Sequence, residues 1–239
     1  MAPAVLLSTA VCVTGRFPAL AGVDLVVAQG EVVVLEGPNG AGKTSVLRVC
    51  AGLLPLTGGE GTVLGCDLRR DAAALRRRVG MLGHAAALYD DLTVAENVRF
   101  AARAARASLA ELDTVLDRLE LGGRLRRTPV GRLSAGQRRR VALALLLTRR
   151  PRLWLLDEPH AGLDAGARAV LAQVIVEAVA EGTTVLMASH EPEESWPLAD
   201  RVVSLVGGRV VGERAVAAPT RLGTAPEPLR SVPGGAHVA

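Results

Sequence analysis

Aromatic side chains are nearly absent: Phe17, Tyr89, Phe100, Trp154 and Trp196 are the whole set in 239 residues. A core of this size must then be filled by Leu, Val and Ala, which favours buried parallel strands and packed helices over a sandwich. The same scarcity argues against single-stranded nucleic acid as a partner, because base stacking needs aromatic faces. Cysteine is equally sparse. Cys12, Cys50 and Cys66 form no CxxC pair and read as free core thiols, which excludes a disulfide framework. No apolar run reaches the roughly 18–20 residues that a spanning helix needs. The stretch Ala2 to Val13 lacks a basic leader and is interrupted by Thr9, so it reads as a first strand and not as a signal peptide. A chain of the cytoplasm, with nothing that crosses a membrane, is the expectation.

Lysine is the most telling shortage. All but one of the 28 basic residues are arginine, and the formal charge is +4. The arginine clusters at Arg76–Arg78, Arg124–Arg127, Arg138–Arg140 and Arg149–Arg152 read as solvated faces and subunit contacts. The single lysine, Lys43, lies in Gly37-Pro38-Asn39-Gly40-Ala41-Gly42-Lys43-Thr44, which fits the G-x-x-x-x-G-K-[ST] pattern. Glu31 to Glu36 is a short β-branched run, as a buried strand should be, and Thr44 to Ala51 has helical spacing up to Gly52. Strand, glycine loop and helix therefore follow in the order that a phosphate cradle requires. Glycines let backbone N–H groups wrap a phosphate, and the helix N-terminus adds a favourable dipole. The compact ammonium of Lys43 suits the β- and γ-phosphates, and the Thr44 hydroxyl suits Mg²⁺.

Elsewhere the pattern divides the chain. Residues 1–36 read as short strands, and Thr62–Gly65 and Val79–Leu82 as further strands. Between about 85 and 150 the pattern is helical. Three capping boxes are predicted there: Thr93 with Glu96, Ser108 with Glu111, and Ser134 with Gln137. A second α/β section follows, with strands Arg152–Leu156 and Thr183–Ala188, a helix over Ala165–Ala180, and a hairpin Val202–Val206 to Arg209–Val211 through Gly207-Gly208. From about Arg214 the composition predicts a mobile tail.

Two further constellations carry chemistry. Asp157 and Glu158 close an apolar strand, and in a parallel sheet the carboxyl ends face the ligand crevice. Adjacent acids can divide labour there, with Asp157 holding Mg²⁺ and Glu158 activating the attacking water. His190 follows the next strand to the same edge, where it can contact a γ-phosphate and orient that water. Leu133-Ser134-Ala135-Gly136-Gln137 opens a helix and offers a second anion site, although plain capping explains it as well on chemistry alone.

With these residues in view, the chain resembles the ATP-binding cassette (ABC) family over about residues 5–213. Its Walker A loop is Gly37–Thr44, continuing into Ser45, its signature is Leu133–Gln137, and its Walker B strand is Leu153–Asp157 followed by Glu158. Asp164 ends the D-loop and His190 stands at the switch position. The resemblance implies an α/β fold: a P-loop NTPase core with a mostly parallel sheet, an N-terminal antiparallel β subdomain and an inserted helical subdomain. It places the core at 1–83 and 151–213, the helices at about 84–150 and the tail at 214–239. ATP and Mg²⁺ are the implied cofactors, with Lys43, Glu158 and His190 catalytic. The implied assembly is a head-to-tail homodimer, in which each ATP meets one copy's Walker A loop and the other's Ser134, Gly136, Gln137 and Asp164. Separate transmembrane permease subunits would dock the pair to the cytoplasmic face of the membrane. Two departures stand out. His84 occupies the position of the usual Q-loop glutamine, close to the metal or the lytic water as a neutral imidazole, and the signature reads Ser-Ala-Gly. Phe17 is the only candidate for the adenine-stacking aromatic. Leu82-Gly83-His84 and the stretch from Leu133 to Ala144 look like the ATPase subunit of haem exporters that serve cytochrome c maturation. A soluble cassette ATPase, such as those of iron–sulfur assembly, is the alternative.

Overall fold

The computed structural model describes residues 2–83, 88–189 and 196–216. Two sheets carry the architecture. The first is antiparallel and built from β1 (Val5–Thr14), β2 (Phe17–Val27), β4 (Gly58–Val63) and β5 (Cys66–Asp67), in the order β2-β1-β4-β5. The second contains β3 (Val32–Glu36), β6 (Val79–Leu82), β7 (Leu153–Asp157), β8 (Thr184–Ala188), β9 (Arg201–Val206) and β10 (Arg209–Ala215), in the order β10-β9-β3-β8-β7-β6. All of its pairings are parallel except β9 with β10. Six α-helices accompany the sheets among the described residues: α1 (Lys43–Cys50), α2 (Ala72–Arg78), α3 (Val94–Ala105), α4 (Leu112–Arg118), α5 (Ala135–Arg149) and α6 (Ala165–Ala180). The mixed α/β fold expected from the sequence is the one observed.

The central strands are apolar except at their ends, at Glu36, Asp157 and Thr184, because both faces are covered. On one face Val33, Leu35, Leu153, Leu155, Leu186 and Ala188 join α1 and the antiparallel sheet. On the other, Val32, Val34, Trp154, Leu156, Val185 and Met187 pack under α3, α5 and α6. The period-two alternation of these side chains fixes the register, since a one-residue slip would exchange the two cores. The three cysteines are buried and free, and burial pushes the Cys50 thiol up to about 12.

Side-chain caps fix three of the six helix starts. Thr93 and Ser134 each close a complete capping box, with reciprocal bonds to Glu96 and Gln137. The third expected box does not form. Ser108 Oγ instead accepts from the N–H of Ala110 at 3.1 Å, α4 starts only at Leu112, and Glu111 pairs with Arg150. An ion pair to a neighbouring helix end has taken the carboxylate that the box needed. The strand expected at Thr62–Gly65 is displaced toward the N-terminus as β4, and Leu64 and Gly65 form the positive-φ turn into β5. The β9–β10 hairpin turns through Gly207 and Gly208, both at positive φ, as its handedness requires. β10 runs to Ala215, two residues into the stretch read as a tail; the rest of that stretch, from 217, lies outside the described residues.

Candidate functional site

The parallel pairing brings three strand ends to one edge. Leu35 and Asp157 both lie opposite Ala188, so the chain leaves β3, β7 and β8 side by side through Gly37, Glu158 and Ser189. A cavity of ≈430 Å³ opens there, lined by Asn39, Gly40, Ala41, Gly42, Lys43, Thr44 and Ser45, by Asp157 and Glu158, and by Ala19 from β2. Gly37 and Pro38 do not line it. Their carbonyls hold the buried ammonium of Lys43 instead, at 2.7 and 3.2 Å.

The loop is squeezed between its neighbours, and this is where glycine is required. A Cβ on Gly37, at φ +141, would sit 2.2 Å from the carbonyl oxygen of Leu205, and one on Gly42, at φ +104, would sit 2.8 Å from that of Ala19. Gly37→Ala should therefore displace the loop from β9. The expected cost is about 1–3 kcal/mol, or roughly 2–12 °C in Tm by differential scanning fluorimetry, with weakened anion binding.

Gly42 also begins α1, and α1 differs from the other long helices at its start. α3, α5 and α6 are capped by Thr93, Ser134 and Asp164. α1 has no side-chain cap, and like α5 and α6 it has no acid in its first turn. Its leading N–H groups and the positive end of its dipole face the cavity, an arrangement that suits an anion.

Across the cavity the Thr44 hydroxyl donates to Asp157 Oδ1 at 3.0 Å. Burial holds the Asp157 carboxyl above its ordinary range, while the Thr44 bond works against that shift and neighbouring Glu158 adds to it. A hydroxyl and a carboxylate meeting at one point are hard oxygen donors, and the pair fits a divalent cation such as Mg²⁺. Glu158 has φ +49, the left-handed region that a β-substituted residue seldom adopts. Its N–H donates to Ala188 at 2.9 Å, and its carbonyl accepts from the Arg139 guanidinium.

Arg139 is the residue that the sequence did not single out. It belongs to a cluster whose composition reads as a solvated face or a subunit contact. Arg138 and Arg140 do pair with exposed acids, Asp90 and Glu120, but Arg139 is buried. Burial lowers its affinity for the proton, and Asp157 and Glu158 partly offset this. No local signal separates the middle arginine from its neighbours except its position on the inner side of α5.

The remaining candidates are placed elsewhere. Ser134 is exposed, with its hydroxyl accepting from the N–H of Gln137 at 3.2 Å. Gly136 approaches the D-loop so closely that a Cβ would lie 3.1 Å from the carbonyl of Gly162. Asp164 caps α6 through Ala167 N at 2.8 Å. None of these residues lines the cavity that holds Lys43. Phe17 is 79% exposed at the start of β2, two residues before Ala19. His84 and His190 lie outside the described residues.

Comparison with known proteins adds the family. Residues 20–161, more than half of the chain, match the ABC transporter family model. The chain is 40% identical to the daunorubicin resistance ATP-binding protein DrrA3 of Streptomyces coeruleorubidus, over 94% of this chain and 69% of that protein. It is 39% identical to the sulfate/thiosulfate import ATP-binding protein CysA of Caulobacter vibrioides, over 89% of this chain and 64% of that one. For a maltose/maltodextrin import ATP-binding protein of Vibrio parahaemolyticus the chain spans 51% of the relative's length. Among solved structures, a dimeric ATP-binding cassette in a post-hydrolysis state with ADP and Pi superposes with TM-score 0.81 at 26% identity, covering 90% of this chain and 99% of that one. With the phosphate-loop geometry, the acid pair and these matches in agreement, the chain belongs to the ABC transporter family and carries its ATP-binding domain.

Proposed function

We propose that this chain binds ATP with Mg²⁺ and hydrolyses it to drive a transporter whose membrane-spanning part is a separate polypeptide. The observation that carries this reading is the uncapped start of α1, set in a glycine loop beside Lys43 and facing the Thr44–Asp157 pair. In this reading the N–H groups of Gly40 to Ser45 cradle the phosphates, Lys43 leaves its carbonyls for the β- and γ-phosphates, and Phe17 covers the adenine. Thr44 and Asp157 hold Mg²⁺, which when bound neutralises charge on the phosphates. Glu158 takes the proton from the attacking water. By resemblance alone, His190 would contact the γ-phosphate and His84 would stand near the metal or the lytic water; both lie outside the described residues. Titration calorimetry on the purified chain with Mg²⁺ and ATP tests the reading; no measurable affinity for adenine nucleotides overturns it.

We further infer a homodimer, as the family resemblance implies. Ser134, Gly136, Gln137 and Asp164 do not line the cavity that holds Lys43, which leaves them available to the nucleotide of a second copy. Related cassettes of known structure are dimeric, which supports this assembly.

The membrane partner has a candidate foothold. Among the described residues no helix is long and apolar enough to cross a membrane. Tyr89 and Phe100 are 55% and 50% exposed, and their rings meet edge-on at 5.0 Å. They line a groove of ≈280 Å³ with Ala101, Leu145 and Arg149. In a chain with five aromatics, two placed together in a groove mark a contact surface, and permease docking is the use that the family supports. Tyr89→Ala with Phe100→Ala should weaken permease association about tenfold or more, read by membrane co-sedimentation with the co-expressed partner, while basal ATP turnover stays intact. A soluble, non-transport cassette would leave the membrane fraction empty in both forms.

The finer reading of an exporter, with haem as cargo, rests only on the likeness of Leu82–His84 and Leu133–Ala144. The relatives above serve drug resistance in one case and import in others, and so favour neither direction. Mass spectrometry of the co-purified permease decides it: a partner that carries haem upholds the reading, and any other cargo removes it.

A further inference from the structure

Arg139 lies one turn beyond the start of α5, buried, with all three of its recorded acceptors on the main chain. Nη1 donates to Gly83 at 2.6 Å, and Nη2 donates to Asp157 at 2.7 Å and to Glu158. A buried guanidinium is costly to desolvate, and a neutral side chain of similar length would fill the space without that cost. What the charge supplies is geometry, because its planar fork reaches two separate stretches of chain at once. One of those stretches is the pair of acids. The other ends at Gly83, the last described residue before 84–87.

Glu158 needs such a hold. At φ +49 its backbone is in a conformation that persists only where the surroundings over-determine it. Its own N–H is fixed on Ala188, and its carbonyl is fixed by Arg139, beside the N–H of Ala161 at 3.1 Å. The first belongs to the sheet edge. The second is supplied by α5, whose first residues are those offered to a partner copy.

We propose that Arg139 is a positioning residue for Glu158, clamping the strained turn after β7 so that the carboxylate stands where the attacking water is activated, and tying that turn to α5 and to Gly83. This rests on the ATPase reading above. It also gives α5 two tasks: Ser134 at its start faces the partner's nucleotide, and Arg139 one turn later sets the base of its own site.

Steady-state kinetics on the full chain test the proposal with Arg139→Met and Arg139→Gln. Loss of the clamp should lower kcat by about 10- to 100-fold, the scale of a misplaced catalytic group, and leave KM for ATP within about twofold of the unaltered chain. Gln, whose amide N–H groups can still donate to a carbonyl, should recover part of that loss. A merely structural arginine would instead lower Tm while folded protein, titrated by bound nucleotide, kept its kcat; that result overturns the proposal. The decisive comparison adds Arg139→Gln to Glu158→Gln. If Arg139 acts through Glu158, the double variant hydrolyses no more slowly than Glu158→Gln alone. A full additive loss overturns the positioning role. Wild-type turnover in Glu158→Gln alone would instead refute the assignment of Glu158, a separate failure that the single variant exposes.

Discussion

Replacing Glu158 by Gln should cut ATP turnover by about 10²–10⁴-fold, the range of a positioned general base, while ATP still binds. The substitution keeps volume and hydrogen-bonding length and removes only the ability to accept the proton. Asp157 is not an equivalent candidate. Its Oδ1 already accepts from the Thr44 hydroxyl, and it is almost fully buried at the end of β7. Glu158 is half-buried and lines the cavity with the phosphate loop. Because the closed pair opens only after hydrolysis in this reading, the variant should also accumulate as a nucleotide-bound dimer. Size-exclusion chromatography with Mg²⁺ and ATP reads that state directly. A monomer that turns over ATP at the normal rate would remove Glu158 from the mechanism.

Most of the site was legible because it is local in sequence. The glycine loop, Lys43 and Thr44 form one contiguous word, and the steric reason for its glycines is visible in the approach of Leu205 to Gly37. The acids at Asp157 and Glu158 were legible because a fully buried strand can end in charge only where it meets solvent or a ligand. The core strands were equally clear, with β6 spanning the four residues expected, Val79–Leu82. What escaped depends on contacts between distant segments. Ser108 and Glu111 have the spacing of a capping box, but Arg150, thirty-nine residues on, claims the carboxylate. Arg139 stands between two arginines that do face acids at the surface, and only the packing of α5 against β6 turns it inward. Ala19 enters the cavity because β2 is laid against the loop, with Ala21 and Ala41 both bonded to Gly208. Sequence spacing carries no trace of that three-way junction.

Ser134 is where one substitution can separate a structural role from a chemical one. As the first residue of a capping box it needs only an acceptor oxygen for the N–H of Gln137, now met at 3.2 Å. Aspartate is as good an N-cap as serine, and its charge favours the positive helix end. Ser134→Asp should therefore leave α5 and the folded chain at least as stable, with Tm unchanged or slightly raised. If the hydroxyl instead reaches the γ-phosphate on a second copy, a carboxylate there repels the triphosphate at short range. Dimer-dependent hydrolysis should then fall by about 10²-fold or more, comparable to losing a preorganised donor, while the single chain binds ATP through its own loop as before. Calorimetry at low protein concentration measures the binding, and turnover against protein concentration measures the dimer. A Ser134→Asp variant with full activity would reduce the α5 N-terminus to a well-capped helix, and the second half of the nucleotide site would have to be sought elsewhere on the surface.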